Sequence, residues 1–179
     1  LIQSGAEHAF IYNDVLEAFP HYRPALLQTL TTHLSEASNM AGYCLGRWQL
    51  EKQAAANIQL LNTLAPSKGW DGLYECYLEE MTDRGKLPPS KMIEPFQQRI
   101  AANPLLSARL ANIYRMNSRV YQAAQMYRDI PPSERLCYVS YHFGITLLDL
   151  NRWPEALQVL REGTQSEPDN CWHNLQLWL

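Results

Sequence analysis

Two pairs of metal-ligating residues stand out. Cys137 and His142 open one helix-like stretch, and Cys171 and His173 open the corresponding stretch one helix pair later. Two thiolates and two imidazoles at neighbouring helix starts could hold zinc. The spacings C-x4-H and C-x-H are unusual for a structural zinc site, and His142 is expected on another helix face, so ordinary packing is the better reading. A second grouping is "YECYLEEMTD", with Glu75, Glu79, Glu80 and Asp83. Glu75 and Glu79 share a helix face at i, i+4 and could form an acid/base pair, although a solvated helix face explains them better. The sequence has no HExxH, GxSxG, Walker loop or GxGxxG, and its glycines are scattered singly, so no phosphate cradle is offered. These residues point to neither an enzyme nor a bound cofactor or metal.

Composition narrows the classes further. A chain of 179 residues that is 46% hydrophobic can build one continuous core and is not disordered. The net charge of −3 is spread without a run of like charges, which removes the usual footprint of a nucleic-acid binder. No apolar run is long enough for a transmembrane helix, so no membrane insertion is expected. Cys44, Cys76, Cys137 and Cys171 lie far apart with no CxxC, which suggests buried free thiols and a reducing, cytoplasmic setting. The chain begins "LIQSGAEHAF", without methionine, and reads as a segment of a longer protein.

The elements that must position any site follow from a repeated spacing. Gly144 is followed by Leu147, Ala156, Leu160 and Pro168; Ala111 by Tyr114, Ala123 and Tyr127; and Gly42 by Leu45, Ala54, Ile58 and Pro66, at the same offsets. A small residue near the middle of each helix lets two antiparallel helices approach, while large residues a turn away fill the groove between them. The expected contact pairs are Gly42 with Ala54, Ala111 with Ala123, and Gly144 with Ala156. Prolines after the second helix stop it.

The interval from Ala111 to Gly144 is the length of one helix pair with its turns. A period of that size marks a solenoid, and the pattern resembles the tetratricopeptide repeat family. The match is carried by Phe143–Leu147 with Ala156, Leu160 and Pro168, by Leu110–Tyr114 with Ala123 and Tyr127, and by Ala41–Leu45 with Ala54, Ile58 and Pro66. Trp70, Leu73 and Tyr77 form a further, imperfect copy with Tyr74 in the small-residue place; its second helix, in "SKMIEPFQQRIAANP", follows an insertion, Thr82–Ser90. Trp48, Trp70, Trp153 and Trp172 fall at repeat joints and read as core filling. The resemblance implies an all-α, right-handed superhelix forming one domain over 1–179. Its helix pairs are expected at about 5–34, 36–66, 68–103, 104–130 and 134–168, with a terminal helix over 170–179.

In such repeats the first helix of each pair lines a concave groove that takes an extended peptide or a helix. The helical period places Arg109, Asn112 and Arg115 there on one helix, Tyr138, Tyr141 and His142 on the next, and Asn39, Tyr43 and Arg47 on an earlier one. Tyr and Arg are enriched at binding hot spots, and the arginines make an acidic protein or peptide the natural partner. Neutralisation of Glu75 and Glu79 by Arg109 and Arg115 would explain the charges equally well. The carboxylate clamp of some co-chaperones in the family is not matched, since Asn39, Met40 and Tyr43 stand at the places it would need. The function expected is non-catalytic protein interaction, with an intramolecular packing or regulatory domain as the alternative.

Overall fold

Apolar residues spaced three and four apart fold into helix, and every regular element among the described residues is helical, with no strand. The computed structural model describes residues 17–50, 54–63 and 67–166. The first part of the helix pair expected at about 5–34 lies outside that range, as do Pro66, Pro168 and the helix expected over 170–179. The α-helices are α1 (Arg23–Thr32), α2 (Asn39–Leu50), α3 (Ala54–Thr63), α4 (Lys68–Asp83), α5 (Gln97–Ala101), α6 (Pro104–Met116), α7 (Val120–Asp129), α8 (Cys137–Asp149) and α9 (Trp153–Ser166). The chain divides into two compact units, Leu1–Glu80 and Met81–Leu179, with the division inside α4.

In the first unit serine hydroxyls start two helices. Ser38 Oγ accepts the Ala41 N–H and Ser67 Oγ accepts the Trp70 N–H, both at 3.2 Å. Each satisfies one of the amides that a helix start leaves without an intrahelical acceptor. Every residue from Gly69 to Leu78 is buried. Trp70 stacks on Tyr74 with ring centroids 4.8 Å apart and donates its indole N–H to the Leu61 carbonyl at 3.1 Å.

Glycine sets the approach of α2 to α4. A Cβ on Gly42 would fall 1.7 Å from the Gly69 carbonyl oxygen, and one on Gly72 would fall 1.7 Å from that of Asn39. The small residue at Gly42 therefore serves a contact between first helices of successive pairs, while the side chain of Ala54, its expected hairpin partner, lies outside the description. Two backbones this close leave no volume for any side chain between them.

In the second unit the repeat is written in the backbone. Gly85, Ser118 and Asn151 stand at equal intervals along the chain and have φ of 61°, 63° and 57°. Each closes a first helix with the same left-handed cap. Lys86, Arg119 and Arg152 donate their N–H to the carbonyls of Met81, Tyr114 and Leu147 at 2.9, 2.8 and 2.9 Å. This register corrects one alignment: Leu78, not Tyr74, occupies the place held by Ala111 and Gly144. It also removes the insertion, because α4, α6 and α8 end at equal intervals, on Asp83, Met116 and Asp149. What differs is the second arm of the first pair. Pro88, Pro89 and Pro95 cannot donate to a helix ladder, so this arm forms 3-10 turns at Ser90–Met92 and Glu94–Phe96 before the short α5.

Helix α6 packs on α7, and α8 packs on α7, α6 and α9. Asn103 starts α6 by accepting the amides of Leu105 and Leu106 at 3.1 and 3.2 Å. Ala111, Ala123 and Ala156 are fully buried, and the space at Gly144 is filled by Leu160, whose Cγ would stand 2.6 Å from an added Cβ. Here the small residue does face its own hairpin, but one turn beyond Ala156.

Candidate functional site

Residues three apart on a helix share a face, and Arg109, Asn112 and Arg115 line one face of α6. The packing of α6 on α8 brings that face to Tyr138, Tyr141 and His142. The Arg109 guanidinium carbon lies 4.6 Å from the centre of the Tyr138 ring, a cation–π contact. Tyr138 then meets His142 at 4.4 Å between centroids, and Tyr141 stands edge-on to His142 at 5.0 Å. Four of the nine strip residues read from the sequence, Arg109, Tyr138, Tyr141 and His142, thus form one run of contacts, and Asn112 and Arg115 lie on the same face of α6 as Arg109.

Arg115 is held from both sides. Its Nε and Nη2 donate to Asn112 Oδ1 at 3.3 and 3.2 Å, and its Nη1 donates to Asp149 Oδ2 at 3.2 Å. Asn112 is buried and Asp149 ends α8, so the fork spans the two helices. The sequence reading does not single out Asp149; the sign is there in its place at a helix end, one repeat on from the end of α6 where Arg115 sits. An exposed ion pair of this kind contributes little stability, about 0–1 kcal/mol, and its main effect is to fix the direction of the guanidinium.

His142 is half-buried, and its Nδ1 is sealed from solvent without a hydrogen-bond partner. Burial, then Arg115 and Arg109, push its pKa down to about 4. The imidazole is therefore neutral at pH 7 in a positive field. That field opposes a metal ion, while Cys171 and His173 of the suggested zinc set lie outside the described residues. Among the described residues no group of three or more ligating side chains could hold a metal.

Asn39, Tyr43 and Arg47 belong to the first unit. The Asn39 carbonyl is packed against Gly72, Arg47 is exposed, and Tyr43 donates its hydroxyl to the Glu79 carboxylate. Burial and this bond push the Tyr43 hydroxyl well above its ordinary range. Glu79 is thus engaged by a phenol, and Arg115 by Asn112 and Asp149. Cys44 and Cys76 are buried free thiols. Burial raises both pKa values, with Cys76 pushed up to about 12 by burial and then Glu79 and Glu80, so neither thiol is primed as a nucleophile.

Two surface features escape the sequence reading. Ile93, Ile100, Leu110, Tyr114 and Met126 line an open groove of about 210 Å³ beside α5, α6 and α7, a consequence of the proline-broken arm. Trp153, expected in the core, is 54% exposed, because it sits at the first position of α9 ahead of Pro154; Tyr121 and Leu136 are also exposed. Trp70 alone among the four tryptophans placed at joints is seen to fill a core, the side chains of Trp48 and Trp172 lying outside the description. No helix of the described residues is long and apolar enough to cross a membrane. No family profile, curated protein or solved structure matches the chain.

Proposed function

We propose that the chain is a non-catalytic protein-interaction module of the tetratricopeptide type, a right-handed solenoid whose concave groove takes an acidic peptide or helix. The observation that carries this reading is the patch made by Arg109, Tyr138, His142 and Tyr141 with the doubly held Arg115, all on first helices of successive pairs. A guanidinium already oriented over an aromatic ring loses little freedom when it meets a carboxylate. The left-handed caps recurring at equal intervals support stacking of like pairs. A packing or regulatory domain of a longer protein is the second reading, favoured by the exposed Tyr121, Leu136 and Trp153.

The test is titration of a partner recovered with this chain as bait. Arg109→Ala and Tyr141→Ala should each weaken binding by about thirtyfold, as central anchors do, with Arg161→Ala on the exposed side of α9 nearly silent. Loss with Arg161→Ala alone would move the partner to the outer surface.

A further inference from the structure

The groove beside α5, α6 and α7 is lined entirely by residues of the second unit. It opens where Pro88, Pro89 and Pro95 break the second arm of the first pair into 3-10 turns and the short α5. From α6 it takes Ser107, Leu110 and Tyr114, a face turned about half a revolution from Arg109, Asn112 and Arg115. The groove is thus a surface separate from the arginine–tyrosine strip. Its walls are Ile93, Ile100, Leu110, Met126 and Ile130, and the flexible Met126 thioether adapts to what meets it. At about 210 Å³ it is smaller than the usual small-molecule site of about 300–1,000 Å³, and it suits one or two side chains of a partner.

The polar groups narrow the partner's chemistry. Asp129, the last residue of α7, alone is charged among the described residues that line the groove. It is exposed, and its carboxylate accepts one bond, from the neutral Gln125 amide at 2.8 Å. The cations nearby are engaged elsewhere. Arg128 faces Glu155, and Arg135 donates to the carbonyls of Ile130 and Arg128. Arg119 lies over the Tyr114 ring at 5.7 Å, at the opposite end of α7 from Asp129. Tyr114 is more than nine-tenths buried, yet its hydroxyl is neither sealed from solvent nor hydrogen-bonded to any described residue. It opens to solvent through the groove that the side chain lines.

We propose that this groove docks an apolar segment of a partner protein that carries one basic side chain, with the cation set on Asp129. Lysine has the right chemistry, because its four-carbon stem lies along apolar surface while its ammonium stays at the wet rim. The Tyr114 hydroxyl then bonds the main chain of the segment. This site stands independently of the acidic ligand assigned to the strip, since it uses other residues on another face of α6.

The probe is a short, end-capped, dye-labelled peptide with two leucines before one lysine, titrated against the 179-residue chain at constant low salt. Two further versions replace the lysine by norleucine, which keeps the stem without the charge, or by glutamate. The lysine peptide should bind about threefold tighter than the norleucine peptide, and the glutamate peptide most weakly. In Asp129→Asn the lysine advantage should fall to about one, with the norleucine peptide unaffected. Tyr114→Phe should weaken the lysine and norleucine peptides alike, by about threefold, because the main chain is common to both. Neither variant threatens the fold, since one alters an exposed carboxylate and the other removes a hydroxyl without a protein partner. Absence of lysine-peptide binding up to about 1 mM would overturn the proposal. So would equal affinity for all three peptides, or a lysine advantage that survives in Asp129→Asn. Unchanged affinity of both peptides in Tyr114→Phe would refute their placement in the groove.

Discussion

The two units use small residues for opposite ends. In the first, Gly42 and Gly72 bring the backbones of α2 and α4 into contact, and the space between those first helices is closed. In the second, the small residue Gly144 receives Leu160 from its own hairpin. The first helices α6 and α8 are joined instead through Arg109 on Tyr138 and through Arg115 on Asp149. Backbone contact leaves nothing for a ligand to touch, whereas bridging by long polar side chains makes a surface with charge and rings on it. A repeat can thus keep one period and still differ between copies in how its first helices are joined.

The largest effect expected from this contrast is at Gly42. Even Gly42→Ala places a methyl against a carbonyl oxygen that belongs to the partner helix backbone and cannot turn away, so a loss of about 3 kcal/mol or more is expected. At Gly144 the obstacle is the end of a leucine side chain, which can shift; Gly144→Ala should cost about 1 kcal/mol and Gly144→Leu about 1–3 kcal/mol. Urea unfolding of the three variants checks the order. If Gly144→Ala were worse than Gly42→Ala, the distinction between backbone and side-chain packing would be wrong.

Acid sharpens the comparison next. The imidazole of His142 has a folded pKa of about 4, below the ordinary value of 6.5 that it regains on unfolding. The unfolded chain then binds the proton first, so the stability from the neutral ring is full above about pH 6.5 and is lost as pH falls towards 4. The loss should approach about 2 kcal/mol, and it should belong to the second unit. Hydrogen exchange at a series of pH values would locate it; acid loosening of α2 and α4 with α6 and α8 unaffected would contradict the assignment.

The smallest effect concerns the caps. Ser118 carries φ of 63° without being glycine, so Ser118→Gly should stabilise by about 0.5–1 kcal/mol, and Asn151→Gly by less, because asparagine tolerates that conformation. Thermal melts suffice, and destabilisation by Ser118→Gly would mean that its side chain contributes more than its backbone costs.

How legible was this in the sequence? The helical class was, and α6 to α9 lie where the Ala111 and Gly144 spacings place them, because a 3.6-residue period and a turn between two periodic runs are encoded within a few neighbours. The face shared by Arg109, Asn112 and Arg115 was legible for the same reason. The broken arm was half-legible. Pro88 and Pro89 announce it, but Pro95 is compatible with the first turn of a helix and gives no sign that the helix begins only at Gln97.

By itself the sequence determined the helices, their turns and which side chains share a face, since backbone hydrogen bonding and side-chain period act over one or two turns. Only tertiary structure decided what each face meets: Gly42 against Gly69, Leu160 in the space at Gly144, Asp149 on Arg115, and Trp153 in solvent. Partner choice depends on the volumes and charges of residues distant along the chain, and a small residue signals that something approaches closely without saying what.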